Sequence, residues 1–540
     1  MLTPPGSGTI SVDQLAAVAR IEVSGISFNW HRPYAQEQPF QAVGSAALIC
    51  LPEPFRSQQK GGCLYLLTAY HVVRNATGIW AVFANMSGQS FDSTLVGACP
   101  EIDIAILRVD KVPEKIQDKL RPFRLGNSDE LRPQQSVVAA GFPQAQNTVK
   151  TVQGVVSGRQ NGSIQIDASV NQGNSGGPLL DTKSGLIVGI ITSGERDAVG
   201  MNYATPIRQV QVRLEKLLTG FARLPSLNIE TSRATPALLQ SLGLKDRVGS
   251  FVRQVHPSST CFSAGMRRGD VLLSLRPHNG SKILPIGLDN SVNVVWWPSP
   301  VTLETIRSRL LIGSKIDIEY WSVDEQKVFM KTIVLQENLN AVRLYFEQFE
   351  TPDYETMGGL VVMQLTLNHI NFGAESGKRR GLWSRMFTYL QQQTDRLAEP
   401  ILVITDVLPT SSLRKLLNKT IAPTDIIVAV NDVAVKTLAD YRAALRKPLT
   451  RGGQDYIVWQ TRDGMKTALS QTKAIEEHRY WKENMSSQSR LRKPASAKDT
   501  RVVMSAKRDN QYLPEAKIDK KISHQMKLSA LLQEPQYRNR

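Results

Sequence analysis

Ser175 stands in the run Asn171-Gln172-Gly173-Asn174-Ser175-Gly176-Gly177-Pro178, just ahead of the apolar pair Leu179-Leu180. A serine hydroxyl is a weak nucleophile at neutral pH. Chemistry here therefore requires a base beside it and donors aimed at the charge that develops on an attacked carbonyl. The flanking residues suit the second need. Gly173, Asn174 and Ser175 form a candidate oxyanion hole, in which glycine opens turns closed to other residues and lets the amides of Gly173 and Ser175 face one point. Gly176 and Gly177 leave room beyond the hydroxyl for a substrate backbone. The same composition also suits a plain loop between two strands, so residues elsewhere in the chain must decide.

A candidate base is His71, placed at the end of the apolar strand in Leu66-Leu67-Thr68-Ala69-Tyr70-His71-Val72-Val73. Taken alone, a histidine after a strand also suits a packed or surface position. Asp103 opens the apolar run Asp103-Ile104-Ala105-Ile106-Leu107, where a carboxylate without a partner would be costly to bury. It requires a cationic or hydrogen-bonding neighbour, and His71 could be that neighbour.

The order His71, Asp103, Ser175 on short strands resembles the chymotrypsin-type double β-barrel. More narrowly, the chain resembles the HtrA/Deg family of serine proteases. The resemblance is carried by Gly44-Ser45-Ala46, Thr68 to Val73, Asp103 to Leu107, Leu125-Gly126-Asn127-Ser128-Asp129, Ala140-Gly141-Phe142-Pro143, Gly154-Val155-Val156-Ser157-Gly158, Ile164-Gln165-Ile166-Asp167-Ala168 and Tyr203-Ala204-Thr205-Pro206-Ile207. The block from Arg20 to Tyr34 resembles the plant-type Deg branch and its bacterial relatives. The resemblance implies that Ser175 attacks a peptide carbonyl, His71 moves the proton, and Asp103 fixes the imidazole tautomer, with no metal or cofactor. In that fold Ser169 and Val170 would form one wall of the primary pocket and Ile190, Ile191 and Thr192 the other. Neither wall carries a carboxylate for a basic side chain, although Asp167 lies close in sequence. Cleavage after Val, Ala or Leu is the expectation.

At 540 residues and 41% hydrophobic composition, the chain has material for several cores and is too long for one. Its 65 Lys and Arg exceed its 48 Asp and Glu, and about half of the excess falls after Arg479. The opening Met1-Leu2-Thr3-Pro4-Pro5-Gly6 shows neither a basic start nor an apolar run, and no later stretch reaches the ~18 apolar residues of a spanning helix. A cytoplasmic protein is therefore expected, with export by a specialised secretion system or organelle targeting as the alternative. Cys50, Cys63, Cys99 and Cys261 are too few for a disulfide framework and read as reduced thiols.

The expected architecture is mainly β. After a flexible stretch at 1–12 come a chymotrypsin-like double barrel at 13–222 and two α+β PDZ-like domains at 223–345 and 346–475, each with an insertion. A basic, largely disordered tail spans 476–540. A helix is expected from Pro206 to about Thr219. Gly249 to Val255, a short helix ending at Met266, and Gly269-Asp270-Val271 through Leu275 carry the first PDZ-like pattern. Met357-Gly358-Gly359-Leu360 resembles a PDZ carboxylate-binding loop entering a strand whose edge could add a peptide strand. The insertion at about 371–397 places Leu382, Trp383, Met386, Phe387 and Leu390 at helical spacing after Lys378-Arg379-Arg380. It reads either as a packed helix or as one for a membrane surface or anionic partner. A brief amphipathic helix is expected at Met526 to Leu532.

Together these features predict a serine endopeptidase of HtrA/Deg type acting on unfolded or partly unfolded polypeptides in protein quality control. The resemblance also implies a homo-oligomer, a trimer or a multiple of it, with PDZ modules capturing peptide C-termini or internal segments. Binding of nucleic acid or anionic membrane rests on the basic tail alone. The alternative is a non-proteolytic chaperone or scaffold that uses the same domains for partner binding.

Overall fold

The structure, a computed structural model, describes residues 11–35, 38–59, 63–84, 86, 88–194, 201–245, 247–278, 282–375, 380–392, 394–417 and 420–490. The start of the chain, Lys378-Arg379 and the tail beyond Arg490, with the helix expected at 526–532, lie outside the described residues. Two compact units divide the chain. Among the described residues, the first holds 11–25 and Phe40–Leu339, and the second holds Ile26–Pro39 and 340–490.

Two closed six-stranded barrels make up most of the first unit, as expected from the many short strands. Strands β1 (Val18–Ser27), β2 (Gln38–Ile49), β3 (Leu64–Thr68), β4 (Ala76–Phe83), β5 (Phe91–Cys99) and β6 (Ile104–Val109) close in the order β1-β2-β3-β6-β5-β4. All five residues of β3 are buried, because an apolar strand inside a closed barrel is covered on both faces. The register sets Thr68 opposite Ala105, so the chain leaves β3 beside the point where it enters β6. That pairing brings the Tyr70 to Val73 turn next to Asp103.

The second barrel runs β7 (Ser136–Gly141), β8 (Lys150–Gln160), β9 (Ser163–Ile166), β10 (Pro178–Asp181), β11 (Ile187–Gly194) and β12 (Asn202–Pro206), in the order β10-β11-β12-β9-β8-β7. Its last strand passes directly into a helix at Ile207–Thr219. There Ile207, Val210, Leu214, Leu217 and Leu218 are buried on one stripe, a spacing that repeats about every 3.6 residues. Val212 lies off this stripe.

Beyond the barrels, strands Ile229–Arg233, Ser250–Val255, Val271–Pro277, Lys315–Ser322 and Lys327–Val334 form an antiparallel sheet in that order, with the short helix Thr260–Ser263 between the second and third. Asp270 is buried and accepts from the amides of Arg267 (2.8 Å) and Val323 (3.0 Å), the side-chain-to-backbone bond expected of the Gly-Asp turn. Arg213, on the helix after the second barrel, donates to Ser308 O (2.6 Å) and Leu310 O (2.7 Å) and ties this sheet's helix to the barrel. The Arg309 guanidinium pairs with the Asp129 carboxylate and lies 3.6 Å from the Trp296 ring centroid. Val292 and Trp297, in the stretch inserted between the third and fourth strands, are buried in the core beneath this sheet. Cys63 Sγ donates to Asp110 Oδ1 at 3.2 Å, while Cys50 Sγ lies 3.5 Å from Arg56 Nη2, so these two thiols have separate neighbours.

The second unit is built on the sheet Tyr354–Met357, Leu360–Gln364, Leu402–Val407, Ile426–Val430, Gln454–Thr461, Leu449–Arg451. Two features correct the expected boundaries. Ile26–Pro39, placed by sequence inside the protease domain, belongs here, because its side chains find partners in this unit. Trp30 Nε1 donates to Glu347 Oε1 (2.8 Å), His31 Nε2 to His369 O (2.9 Å), and Arg32 Nε and Tyr34 OH to Asp406 Oδ2 (3.0 and 2.7 Å). The second correction is a helix at Gln471–Arg490, where the basic tail was expected to begin at 476. Ala474 is fully buried and the Ser412 amide donates to Glu477 Oε1 (3.1 Å), which anchors the first turns despite a polar composition.

The helices Leu367–Glu375 and Arg380–Gln392 settle the two readings of the insertion in favour of packing. Trp383, Met386 and Leu390 are buried in one cluster with Val342, Leu365, Ile370 and Val403. No helix among the described residues is long and apolar enough to cross a membrane.

His369 in this cluster is fully buried, and its Nδ1 accepts from the Thr366 amide at 3.1 Å. A proton on Nδ1 would face that N–H, and burial together with neighbouring His31 pushes the imidazole down to about 3 from 6.5. The neutral form favours the fold, so its contribution is complete above pH ~6.5 and shrinks as pH falls from there toward ~3. Thermal unfolding of the second unit, followed by tryptophan fluorescence, is expected to move to lower temperature between pH 7.5 and 5. A His369→Gln variant is expected to show a flatter profile over the same range.

Candidate active site

His71 sits in the turn Tyr70–Val73 that directly follows β3. Asp103 precedes β6 in a left-handed conformation (φ 54°) that aspartate tolerates better than most residues. The pair is bound twice. Asp103 Oδ1 accepts from the His71 backbone amide (2.8 Å) and Oδ2 from the His71 ring Nδ1 (2.7 Å). A carboxylate can only accept here, so the ring proton sits on Nδ1 and Nε2 is left as the acceptor. Both side chains are largely shielded, at 13% and 15% exposure, which keeps this charged hydrogen bond out of bulk water.

The serine turn reaches the same region through β2. Ser45 N donates to Ser175 O at 2.8 Å, and Thr68 Oγ1, at the end of β3, donates to Ser45 O at 2.7 Å. Gly44 marks how closely the turns approach: a Cβ there would lie 2.5 Å from Val72 Cγ1 and 3.1 Å from Ser175 O. The structure therefore pairs His71 with Asp103 and bonds the backbone of the Ser175 turn to β2, close to the His71 turn.

The expected oxyanion hole is met in part. Gly173 holds φ 99°, and a Cβ on it would come within 2.3 Å of Phe142 O, so only glycine fits. Among the described residues, the amides of Gly173 and Ser175 donate to no acceptor, whereas the Asn174 amide donates to Asn171 O at 3.0 Å. Asn174 thus leaves the donor set: its N–H closes the turn. Gln172 O accepts from Gln144 N at 2.6 Å. Because the N–H and C=O of a trans peptide point in opposite directions, the Gly173 N–H faces away from Gln144.

The expected pocket walls divide similarly. Ser169 is exposed, and Val170 packs against the cluster that holds Ala168, Leu179 and Ile191. Ile190, Ile191 and Thr192 are all buried. Ile191 meets the serine turn by backbone alone, its N–H donating to Gly177 O (2.9 Å) and its carbonyl accepting from Gly176 N (2.7 Å). Two residues were missed. Buried Asn202 donates from Nδ2 to Ala168 O (2.7 Å) and holds the Ala168 to Val170 wall, and Ser45 bonds the serine turn itself. Asp167, two residues before Ser169, accepts on Oδ1 from Val155 N at 2.6 Å and so faces β8.

The proposed carboxylate-binding loop is corrected. Met357-Gly358-Gly359-Leu360 is a two-residue hairpin turn in which Met357 pairs with Leu360 and both glycines have positive φ (57° and 81°). Its carbonyls are occupied: Gly358 O accepts from Ser411 Oγ (2.7 Å) and Gly359 O from Leu408 N (2.8 Å). Trp459 and Leu469 cover Gly358. The strand Leu360–Gln364 is paired on both sides, so it offers no free edge.

Two closed barrels, a shielded His–Asp pair and a glycine-rich serine turn are the features of a trypsin-like peptidase domain. Residues 55–190 match the family model described as "Trypsin-like peptidase domain". The chain is 30% identical over 311 residues to "Periplasmic serine endoprotease DegP" of Escherichia coli (strain K12), covering 54% of this chain and 61% of that protein. It is 31% identical to "Periplasmic pH-dependent serine endoprotease DegQ" of the same organism over 45% of this chain and 52% of that one. A "Probable periplasmic serine endoprotease DegP-like" from Bartonella henselae is 28% identical over 74% of this chain and 70% of its own length. These matches support an HtrA/Deg-type serine protease. The chain spans about three fifths of the first of these relatives.

The cytoplasmic expectation is overturned by these relatives, which are named as periplasmic and point to an exported location. The composition of the first residues did not determine the compartment.

Proposed function

We propose that this protein is an exported serine endopeptidase that cleaves unfolded or partly unfolded polypeptides. The observation that carries this reading is the doubly bonded His71–Asp103 pair near a serine turn whose Gly173 and Ser175 amides, among the described residues, donate to no acceptor. Ser175 Oγ adds to the substrate carbonyl as its proton passes to His71 Nε2. The carbonyl oxygen takes the negative charge against the two amides, and His71 then protonates the departing amine. Water repeats the sequence on the acyl-enzyme, with His71 taking the water's proton and returning it to Ser175. Throughout, Asp103 stabilises the imidazolium.

The side of the pocket is apolar around Val170, and among the described residues the carboxylate near it in sequence, Asp167, is bound to β8. Cleavage after Val, Ala or Leu is expected. Mass spectrometry of a peptide-library digest checks this, and a preference for Lys or Arg would reject it. The proposal extends to a homo-oligomer, a trimer or a multiple of it. A PDZ-like role is placed on the sheet after the barrels, whose edge strand Ile229–Arg233 pairs with Ser250–Val255 on one side. Incubation with β-casein tests the activity: the parent protein should digest it and a Ser175→Ala variant should not. Inertness of the parent across pH and temperature would favour a scaffold.

A further inference from the structure

Ser45 is fully buried and uses every polar group it has around the serine turn. Its N–H donates to Ser175 O (2.8 Å), its Oγ donates to Gly173 O (2.7 Å) and accepts from Phe142 N (2.9 Å), and its carbonyl accepts from Thr68 Oγ1 (2.7 Å). Its hydroxyl therefore joins the two stretches that flank the candidate oxyanion hole. Phe142 opens the loop that carries Gln144, whose amide holds Gln172 O at 2.6 Å. Gly173 supplies one of the two candidate oxyanion-hole amides.

We infer that Ser45 is a positioning residue for the oxyanion hole: its hydroxyl clamps the Gly173 carbonyl and the Phe142 amide, which keeps the Gly173 N–H turned toward the substrate. The inference rests on the peptidase reading above. Gly173 is open to rotation because it has no side chain, and its positive φ is not self-sustaining. Two bonds hold the peptide planes on either side of it. Gln144 N holds the plane before Gly173, and Ser45 Oγ holds the plane after it. With the hydroxyl removed, Gly173 O is buried without this donor and Phe142 N without this acceptor. The least costly relief is rotation of Gly173, which carries its N–H out of the hole.

A donor that acts on the developing oxyanion contributes to the transition state and not to ground-state binding. Its loss lowers kcat and leaves KM in place. Ser45→Ala removes one oxygen, adds no volume and retains the backbone bond to Ser175 O. For a chromogenic peptide substrate, kcat is expected to fall about ten- to a hundredfold, toward the loss seen when an oxyanion donor is deleted, with KM within about twofold. A peptide boronate, whose tetrahedral adduct requires the hole, is expected to lose affinity by the same factor. Active-site titration counts the folded sites. Ser45→Cys, which keeps a weak donor in place, is expected to fall between parent and alanine variant.

An unchanged kcat per titrated site in Ser45→Ala would overturn the inference, as would a rise in KM that accounts for the whole loss. If Ser45→Ala does not fold, Ser45→Cys carries the test, and parental kcat in that variant overturns it. Failure of the peptidase reading is distinct: there the parent and Ser175→Ala are equally inert.

Discussion

Ser175→Ala is expected to abolish digestion of β-casein, with a loss in kcat on the order of a millionfold relative to the parent protein. The magnitude follows from the loss of the bond-forming atom. With Oγ absent, His71 Nε2 has no alcohol to deprotonate, and the residual rate is that of water held near two amide donors. The variant should remain folded, because the contact that fixes the turn is Ser45 N–H to Ser175 O, a backbone bond that alanine keeps. Circular dichroism of the variant should match the parent. Residual hydrolysis is read with a fluorogenic peptide.

Asp103→Asn is expected to lower kcat by about ten thousandfold while leaving the fold intact. The reason lies in the two bonds that Asp103 makes. The His71 backbone N–H is always a donor, so the one carbonyl oxygen of asparagine must serve it, as Oδ1 does at 2.8 Å. The asparagine NH2 is then turned toward ring Nδ1, where Oδ2 now accepts at 2.7 Å. Two donors cannot share that line, so Nδ1 becomes the acceptor and the ring proton moves to Nε2. A protonated Nε2 cannot take the serine proton. Activity of Asp103→Asn is therefore expected to rise with pH as hydroxide replaces the missing base, and a pH–rate profile of kcat/KM checks this. Asp103→Ala lacks the wrong-way donor and separates the tautomer effect from loss of the charge.

The order of His71, Asp103 and Ser175 was legible because each residue type has a chemical requirement that its local strand pattern could not meet alone. The double barrel was legible for a related reason: short apolar strands such as Leu64–Thr68 must be covered on both faces. In sequence Ser45 stands out only as part of a Gly-Ser-Ala run. Its role depends on Phe142, Gly173 and Ser175 arriving from two separate loops, which no local pattern records. Asn174 was included among the donors because a turn hydrogen bond to Asn171 cannot be told from spacing. Gly358-Gly359 between two alternating runs carried a hairpin signal, and the PDZ-like reading took precedence over it. Trp30 to Tyr34 looked like part of the barrel because their partners, Glu347, His369 and Asp406, lie more than 300 residues away in sequence. The polar stretch from 476 to 490 reads as a tail in sequence because one buried alanine and one bonded glutamate are a small signal against its composition.

The reactive serine can be found without choosing a substrate. A fluorophosphonate probe reacts with a serine that a neighbouring base activates and an oxyanion hole assists, and peptide mass mapping locates the adduct. One adduct per chain is predicted, on Ser175, absent from His71→Ala. An unlabelled Ser175 in the folded parent protein, or an adduct on another residue that persists in His71→Ala, would contradict the account.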